Sequence, residues 1–279
     1  MKCVLSLVLV ALVAISKQDD VKWSQLDQRR ISENITEYFK TFQQSRIIGG
    51  TEAPKHSSPW QAALIIDSKS FCGGSLISKN YVLTAGHCTS EAESILVILG
   101  AHNIEEKEST KQLIWSASIT THPNYRKALS GPVNDIGVVQ LSTSAVLNSY
   151  VKVVPLANSR SGNFNNVAAT LSGWGRTTDD SSNISPVLMR VDLTTMRNIM
   201  CQIQVFKIKA IIRNTNICTS GRGTKGSCNG DSGGALISNG VQIGIVSFGG
   251  SKCERGMPSV FTRVSQFQTW IAQNTDVSL

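Results

Sequence analysis

The sequence predicts an all-β fold, a barrel or sandwich built from many short strands. Apolar or alternating runs recur along the chain at Ala62–Ile66, Gly74–Ile77, Tyr81–Thr84, Ile95–Leu99, Leu113–Ile119 and Ile136–Leu141. A second series follows at Ala168–Ser172, Val187–Leu193, Ala235–Ile237, Val241–Ser247 and Ser259–Val264. Gly, Pro, Asn and Ser bound these runs, and such spacing favours antiparallel sheet over βαβ units. At 279 residues the chain has room for one large β domain or two smaller ones, with a substantial core.

Residues 1–16 begin with Lys2, continue as an apolar run from Val4 to Ile15 and close on small residues, the pattern of a secretory signal peptide. The run is shorter than the roughly 20 residues a membrane-spanning helix needs, and no other segment could span. Residues 17–46 are polar and charged. Within them, Ser32 to Phe42 places Ile35, Tyr38, Phe39 and Phe42 on one face of a short helix. At Arg46 the texture changes to Ile47-Ile48-Gly49-Gly50, and a basic residue before an apolar pair marks a cleavage site that would make Ile47 a new terminus. The strand series starts beyond it. The loop-rich segment 158–166 divides the series in two, so the expected units are 47–158 and 159–279. At the C-terminus, Ser265 is expected to cap a docking helix carrying Phe267, Trp270 and Ile271.

Six cysteines follow the leader: Cys72, Cys88, Cys201, Cys218, Cys228 and Cys253. An even set in a secreted chain implies disulfides, but six cysteines allow 15 connectivities and the sequence does not choose among them. Without a Cys-x-x-Cys pair or clustered histidines, a zinc site is disfavoured. Net charge is +8 for the whole chain and +6 for residues 47–279. The positive residues are scattered and lack interleaved aromatics, which argues against a nucleic-acid surface.

Chemistry converges on Gly230-Asp231-Ser232-Gly233-Gly234, a turn that exposes one hydroxyl between glycines. This run also fits the nucleophile elbow of α/β-hydrolases, whose histidine follows the serine in sequence. Here the histidines are His56, His87, His102 and His122, all upstream of Ser232. A histidine-first or acid-first order is therefore required. Leu83-Thr84-Ala85-Gly86-His87-Cys88 and Asn134-Asp135-Ile136 supply the other two members. A serine hydroxyl needs a base to take its proton, and an imidazole with an ordinary pKa of about 6.5 suits both removal and return. A carboxylate on the far ring nitrogen fixes the tautomer. Ser232 is thus the expected nucleophile, His87 the base and acid, and Asp135 the orienting carboxylate.

These three motifs, in this order, resemble those of chymotrypsin-fold serine proteases, and the similarity extends to Ser172-Gly173-Trp174-Gly175 and Ser247-Phe248-Gly249. The run Lys225 to Ser232 is most similar to arthropod collagenase-like (brachyurin) and insect chymotrypsin-like members. The resemblance covers Ile47 to about Asn274 and implies two packed six-stranded antiparallel β-barrels with a C-terminal α-helix. It implies bridges 72–88, 201–218 and 228–253, and an oxyanion hole formed by the amides of Gly230 and Ser232. In such proteins cleavage after Arg46 would free an Ile47 ammonium to pair with Asp231. The substrate slot would be floored by Gly226 and bordered by Ser227, Ser247, Phe248, Gly249 and Ser259. None of these carries charge, which implies preference for Phe, Tyr, Leu or Met over Lys and Arg. Ala235, Gly86, Gly137 and Phe248 depart from the usual proline, alanine, alanine and tryptophan. Asn34 and Asn183 begin glycosylation sequons. The expected protein is a secreted digestive endopeptidase made as a zymogen. It would be monomeric, without cofactor or metal, and would meet protein or peptide substrates, an activating protease and protein inhibitors. A non-catalytic binding protein on the same fold, usually missing a triad residue, and a regulatory cascade protease with extra N-terminal modules are the competing expectations.

Overall fold

The computed structural model describes residues 49–176, 178–180, 183–250 and 252–278. The expected leader, the segment 17–46 and the junction residues Arg46 and Ile47 lie outside these. The chain forms β1 (Thr51–Glu52), β2 (Gln61–Ile66), β3 (Ser70–Leu76), β4 (Tyr81–Thr84), helical turn α1 (Gly86–Thr89), β5 (Ile95–Leu99), β6 (Gln112–Thr121) and β7 (Gly137–Leu141). It continues as β8 (Ala168–Gly173), β9 (Met189–Met196), helix α2 (Asn198–Val205), β10 (Asn216–Thr219), β11 (Ala235–Ser238), β12 (Val241–Phe248), β13 (Ser259–Arg263) and helix α3 (Gln268–Asn274). Strands β2 to β7 close into one antiparallel barrel in the order β2-β3-β4-β7-β6-β5. The second sheet runs β9-β10-β13-β12-β11-β8, and pairing of β8 with β9 closes it into another six-stranded barrel with β1 added beside β9.

Side-chain parity explains why β2 and β5 read as unbroken apolar runs. Ala62, Leu64 and Ile66 join Ile95, Val97 and Leu99 in the core of the first barrel. Their neighbours of opposite parity, Ala63, Ile65, Leu96 and Ile98, pack with Trp174, Ile184 and Leu188 from the second half of the chain. Both faces are buried, so neither needs polar residues. Strand β9 alternates instead: Met189, Val191 and Leu193 enter the second core, while Arg190 and Asp192 face out. Burying each such Leu, Ile or Val contributes roughly 1.5–3 kcal/mol.

The two ends of the described chain strap the barrels together. Strand β1 pairs Thr51 and Glu52 with Arg190 and Met189 of the second barrel. Conversely, Val264, Phe267 and Ile271 around α3 pack into the first core, and the His122 ring lies 5.4 Å from Phe267 and 5.3 Å from Trp270. Ser265 does not cap α3. A 3-10 turn at Val264–Gln266 intervenes, Phe267 occupies the N-cap, and no side chain bonds there. Burial of the apolar face, rather than a capping hydroxyl, holds this helix. Disulfides join Cys72 to Cys88, Cys201 to Cys218 and Cys228 to Cys253, closing separations of 16, 17 and 25 residues. Each contributes roughly 3 kcal/mol by restricting the unfolded chain.

Candidate active site

His87 sits on α1, immediately after β4. The turn is fixed by Cys88, which donates its amide to the Ala85 carbonyl at 3.1 Å and ties its sulfur to Cys72 of β3. A Cβ on Gly86 would lie 2.9 Å from the Tyr125 ring and 3.0 Å from the Ile136 amide nitrogen. On Gly137 it would lie 2.3 Å from the Thr89 hydroxyl. These two departures from the usual alanines are therefore filled by neighbours, leaving no void behind His87. Asp135 follows Asn134, whose φ of 50° lies in the left-handed region that Asn tolerates. That pivot places a carboxylate, 2% exposed, just ahead of β7.

The Asp135 carboxylate takes three hydrogen bonds. His87 donates its backbone amide to Oδ1 at 2.8 Å, and the His87 Nδ1 lies 2.8 Å from Oδ2. The Ser247 hydroxyl donates to Oδ2 at 2.6 Å. Thr262 supports the backbone by donating to the Asp135 carbonyl at 2.6 Å. An ionised carboxylate only accepts, so the ring proton is on Nδ1 and Nε2 keeps its lone pair. The Tyr125 phenol is pushed up to about 12, first by burial and then by the negative charge of Asp135.

Ser232 reaches this pair through backbone contacts. Gly73, next to Cys72, donates its amide to the Ser232 carbonyl at 2.7 Å. Gly233 donates to Val246 at 2.9 Å, one residue from the Ser247 that holds Asp135. Gly233 has φ of 80°, and a Cβ there would lie 2.1 Å from the Thr84 hydroxyl, so only glycine fits between the serine turn and the end of β4. Ser232 and His87 make no hydrogen bond in this structure, which is common before a substrate aligns them. The amides of Gly230 and Ser232 have no acceptor among the described residues, leaving both donors for an incoming oxygen.

Asp231 points the other way, into the protein, at 1% exposure. Its Oδ1 accepts the Gly175 amide and its Oδ2 the Cys228 amide, each at 2.9 Å. A Cβ on Gly175 would lie 2.4 Å from the carboxylate carbon, so that glycine is required by close approach. Among the described residues no cation pairs with Asp231. Burial raises its carboxyl from the usual range to about 7, against the opposing pull of the two amides.

The expected substrate slot is uncharged where it is described. Ser259 is buried and its hydroxyl accepts the Ser227 amide at 3.0 Å. A Cβ on Gly226 would lie 2.9 Å from that hydroxyl, whereas one on Gly249 would have open space, its nearest neighbour being the Pro258 carbonyl at 3.9 Å. The Cys228–Cys253 bridge links the two walls. Ser247, expected to border the slot, uses its hydroxyl on Asp135. It also lies where the β12–β13 register shifts between Val246 and Phe248, a bulge that takes its backbone out of regular pairing. Phe248 meets the first barrel at Gly131, where a Cβ would lie 2.7 Å from its ring.

Ser247 and Thr262 as supports of Asp135, and Tyr125 and Thr89 behind His87, are what sequence reasoning missed. Ser247 and Thr262 lie 112 and 127 residues from Asp135 in the chain, and no local pattern signals such pairs. Among the described residues the groups with metal-ligand reach are Cys72, His87 and Cys88, and Asp179, Cys228 and Cys253. Every cysteine in them is in a disulfide, which removes the thiolate a metal would need.

Two closed barrels with a buried carboxylate–histidine pair at their junction and a glycine-bounded serine turn beside it define the class of two-barrel serine endopeptidases. The chain belongs to the trypsin family, whose model matches residues 47–271. It is 43% identical over 233 residues to brachyurin of Leptuca pugilator, covering 83% of this chain and all of that protein. It is 40% identical over 235 residues to a chymotrypsin of Phaedon cochleariae, covering 82% of each. Among solved structures, a collagenase (HL collagenase) superimposes with a TM-score of 0.75 at 31% identity, over 84% of this chain and all of that one. The protein is therefore a serine endopeptidase that acts on proteins or peptides.

Proposed function

We propose that this protein is a secreted digestive zymogen whose triad is Ser232, His87 and Asp135. The observation that carries the assignment is the His87–Asp135 pair, held at 2.8 Å with Nε2 left free beside the Ser232 turn. In the proposed reaction Ser232 Oγ attacks the substrate carbonyl carbon as its proton passes to His87 Nε2. The charge formed on the carbonyl oxygen is met by the Gly230 and Ser232 amides. The C–N bond then breaks, and Nε2 returns the proton to the departing amine. A water molecule repeats the sequence on the acyl-enzyme, giving the acid and restoring Ser232.

The switch in this reading is the buried Asp231 carboxylate. Cleavage after Arg46 by an activating protease creates an ammonium at Ile47, a partner for a charge that burial otherwise disfavours. Pairing fixes the residues on either side of Asp231, which are the two oxyanion donors. An ammonium gaining this partner has its folded pKa raised. The amine's contribution is therefore fully present below its ordinary value of about 8 and is lost as pH rises through the folded one.

Substrate preference follows from the slot. Gly226 and Gly249 leave depth, and the Ser227 and Ser259 groups offer no carboxylate to a Lys or Arg side chain. Burying an unpaired cation there would cost several kcal/mol. Peptides cleaved after Phe or Leu are expected to show kcat/KM roughly 30- to 160-fold above matched peptides ending in Arg, the ratio that about 2–3 kcal/mol of discrimination gives. Profiling a P1-varied peptide library with the cleaved enzyme measures it. Preference for Arg would refute the slot assignment.

A further inference from the structure

A run of large apolar side chains is left in water along one short stretch of the second barrel. Helix α2 turns Cys201 and Val205 inward, and the Cys201–Cys218 bridge anchors that face. Its outer face presents Ile199, Met200 and Ile203, and the chain continues with exposed Phe206, Ile208 and Ile211. Ile199 and Ile203 are more than 60% exposed and Phe206 is 74% exposed. Ile199, Ile203 and Phe206 recur at i, i+4 and i+7, a continuous stripe on a helical surface. Single exposed apolar residues are ordinary, whereas a contiguous cluster marks a surface that something covers.

The occupant is indicated by where the N-terminal chain enters. A groove of about 670 Å³ flanks α2 and is lined by Arg197, Met200, Gln204 and Lys225 among others, with Ile199, Ile203 and Phe206 outside it on the adjoining face of the helix. Gly49, the first described residue, abuts one of the lining residues: a Cβ on it would lie 2.9 Å from the Lys225 Cγ. Gly49 thus lies beside the groove. Six residues lie between Phe42 and Gly49, and the seven steps reach about 25 Å when extended. The segment that ends there, residues 32–42, has its own apolar stripe of Ile35, Tyr38, Phe39 and Phe42. Stripes with three- and four-residue spacing on two helices can interdigitate.

We propose that in the uncleaved chain the apolar face of residues 32–42 lies on the exposed face of α2. This rests on the reading of residues 17–46 as an activation segment. Before cleavage the segment is tethered and its effective concentration is high, on the order of millimolar for a short linker. After cleavage at Arg46 no disulfide can retain it, because residues 17–46 contain no cysteine. Dilution then releases the segment and uncovers Ile199, Ile203 and Phe206.

Amide hydrogen exchange on the secreted chain 17–279 carrying Arg46→Gln tests this without requiring activation. Residues 32–42 are expected to exchange at least tenfold more slowly than an unstructured chain. The double substitution Ile203→Glu with Phe206→Glu, and separately Phe39→Glu in the segment itself, should abolish that protection. In the cleavable chain the same substitutions should leave active-site labelling unchanged. Unprotected exchange at 32–42 overturns the proposal. So does protection of α2 that instead tracks a concentration-dependent dimer or added anionic vesicles. Failure of the cleaved enzyme to react with an active-site label, with protection of 32–42 intact, would count against the catalytic reading and leave the docking standing.

Discussion

Replacing Ser232 with alanine is expected to lower kcat on a peptide substrate by roughly 10⁶-fold, a magnitude carried over from Ser-His-Asp enzymes in general. His87→Ala should cost about as much, and the double substitution little more, because the two act in one step. Asp135→Asn should cost about 10⁴-fold. The amide can donate to the ring, which favours the tautomer whose Nε2 carries the proton and cannot accept one. Ser247→Ala removes only the 2.6 Å bond to Asp135 Oδ2 and leaves both bonds from His87, so a far smaller loss is expected, below about 100-fold. Steady-state kinetics on the cleaved proteins, with thermal melting to confirm folding, reads all four. A Ser247→Ala loss equal to that of Asp135→Asn would show that the hydroxyl, not the histidine contacts, holds the carboxylate.

Asp231→Asn is expected to have two opposite effects. In cleaved enzyme the partner of the Ile47 ammonium disappears, the oxyanion donors lose their order, and kcat/KM should fall by roughly 10³-fold, the upper range for losing one such donor. In uncleaved chain the same change should stabilise the fold at neutral pH. The Asp231 carboxyl is raised from 3.8 to about 7 in the folded protein. Between those values the unfolded chain has released a proton that the folded chain keeps, so raising the pH weakens the fold. Above about 7 both forms are ionised and the loss is complete, on the order of a few kcal/mol. Urea unfolding of the Arg46→Gln precursor should therefore show stability falling from pH 4 to pH 7, and Asp231→Asn should flatten this slope. Cleaved wild-type enzyme should show a shallower slope than its precursor. Equal slopes in precursor and cleaved protein would contradict a charge waiting for a partner.

Much of the framework was legible in the sequence because strand interiors leave local patterns. Ile95–Leu99 and Tyr81–Thr84 were bounded as the structure has them, their apolar runs ending where the chain turns. Strand β10 was not foreseen. It is bounded by two buried polar residues that break the apolar pattern: the Asn216 side-chain oxygen accepts the Arg213 amide three residues away, and the buried Thr219 hydroxyl has no hydrogen-bond partner among the described residues. Helix α2 escaped for a different reason: apolar residues occupy its outer face as well as its inner one, so no amphipathic stripe stands out. At the site, His87 and Asp135 announced themselves through short motifs, but what holds them did not. The hydroxyl of Ser247 and the close contacts at Gly86 and Gly137 acquire meaning only once segments apart in sequence are brought together.

On the proposed reading, Ser232 becomes a nucleophile only when cleavage after Arg46 gives Asp231 its partner. The most direct measurement is covalent labelling by a fluorophosphonate, followed by peptide mapping, on the wild-type chain before and after cleavage and on Arg46→Gln. One label per molecule on Ser232 is expected in the cleaved protein, with at most trace labelling of the precursor and of Arg46→Gln. Correctly cleaved, folded protein that takes no label, or a precursor labelled as fast as the cleaved form, would contradict the account.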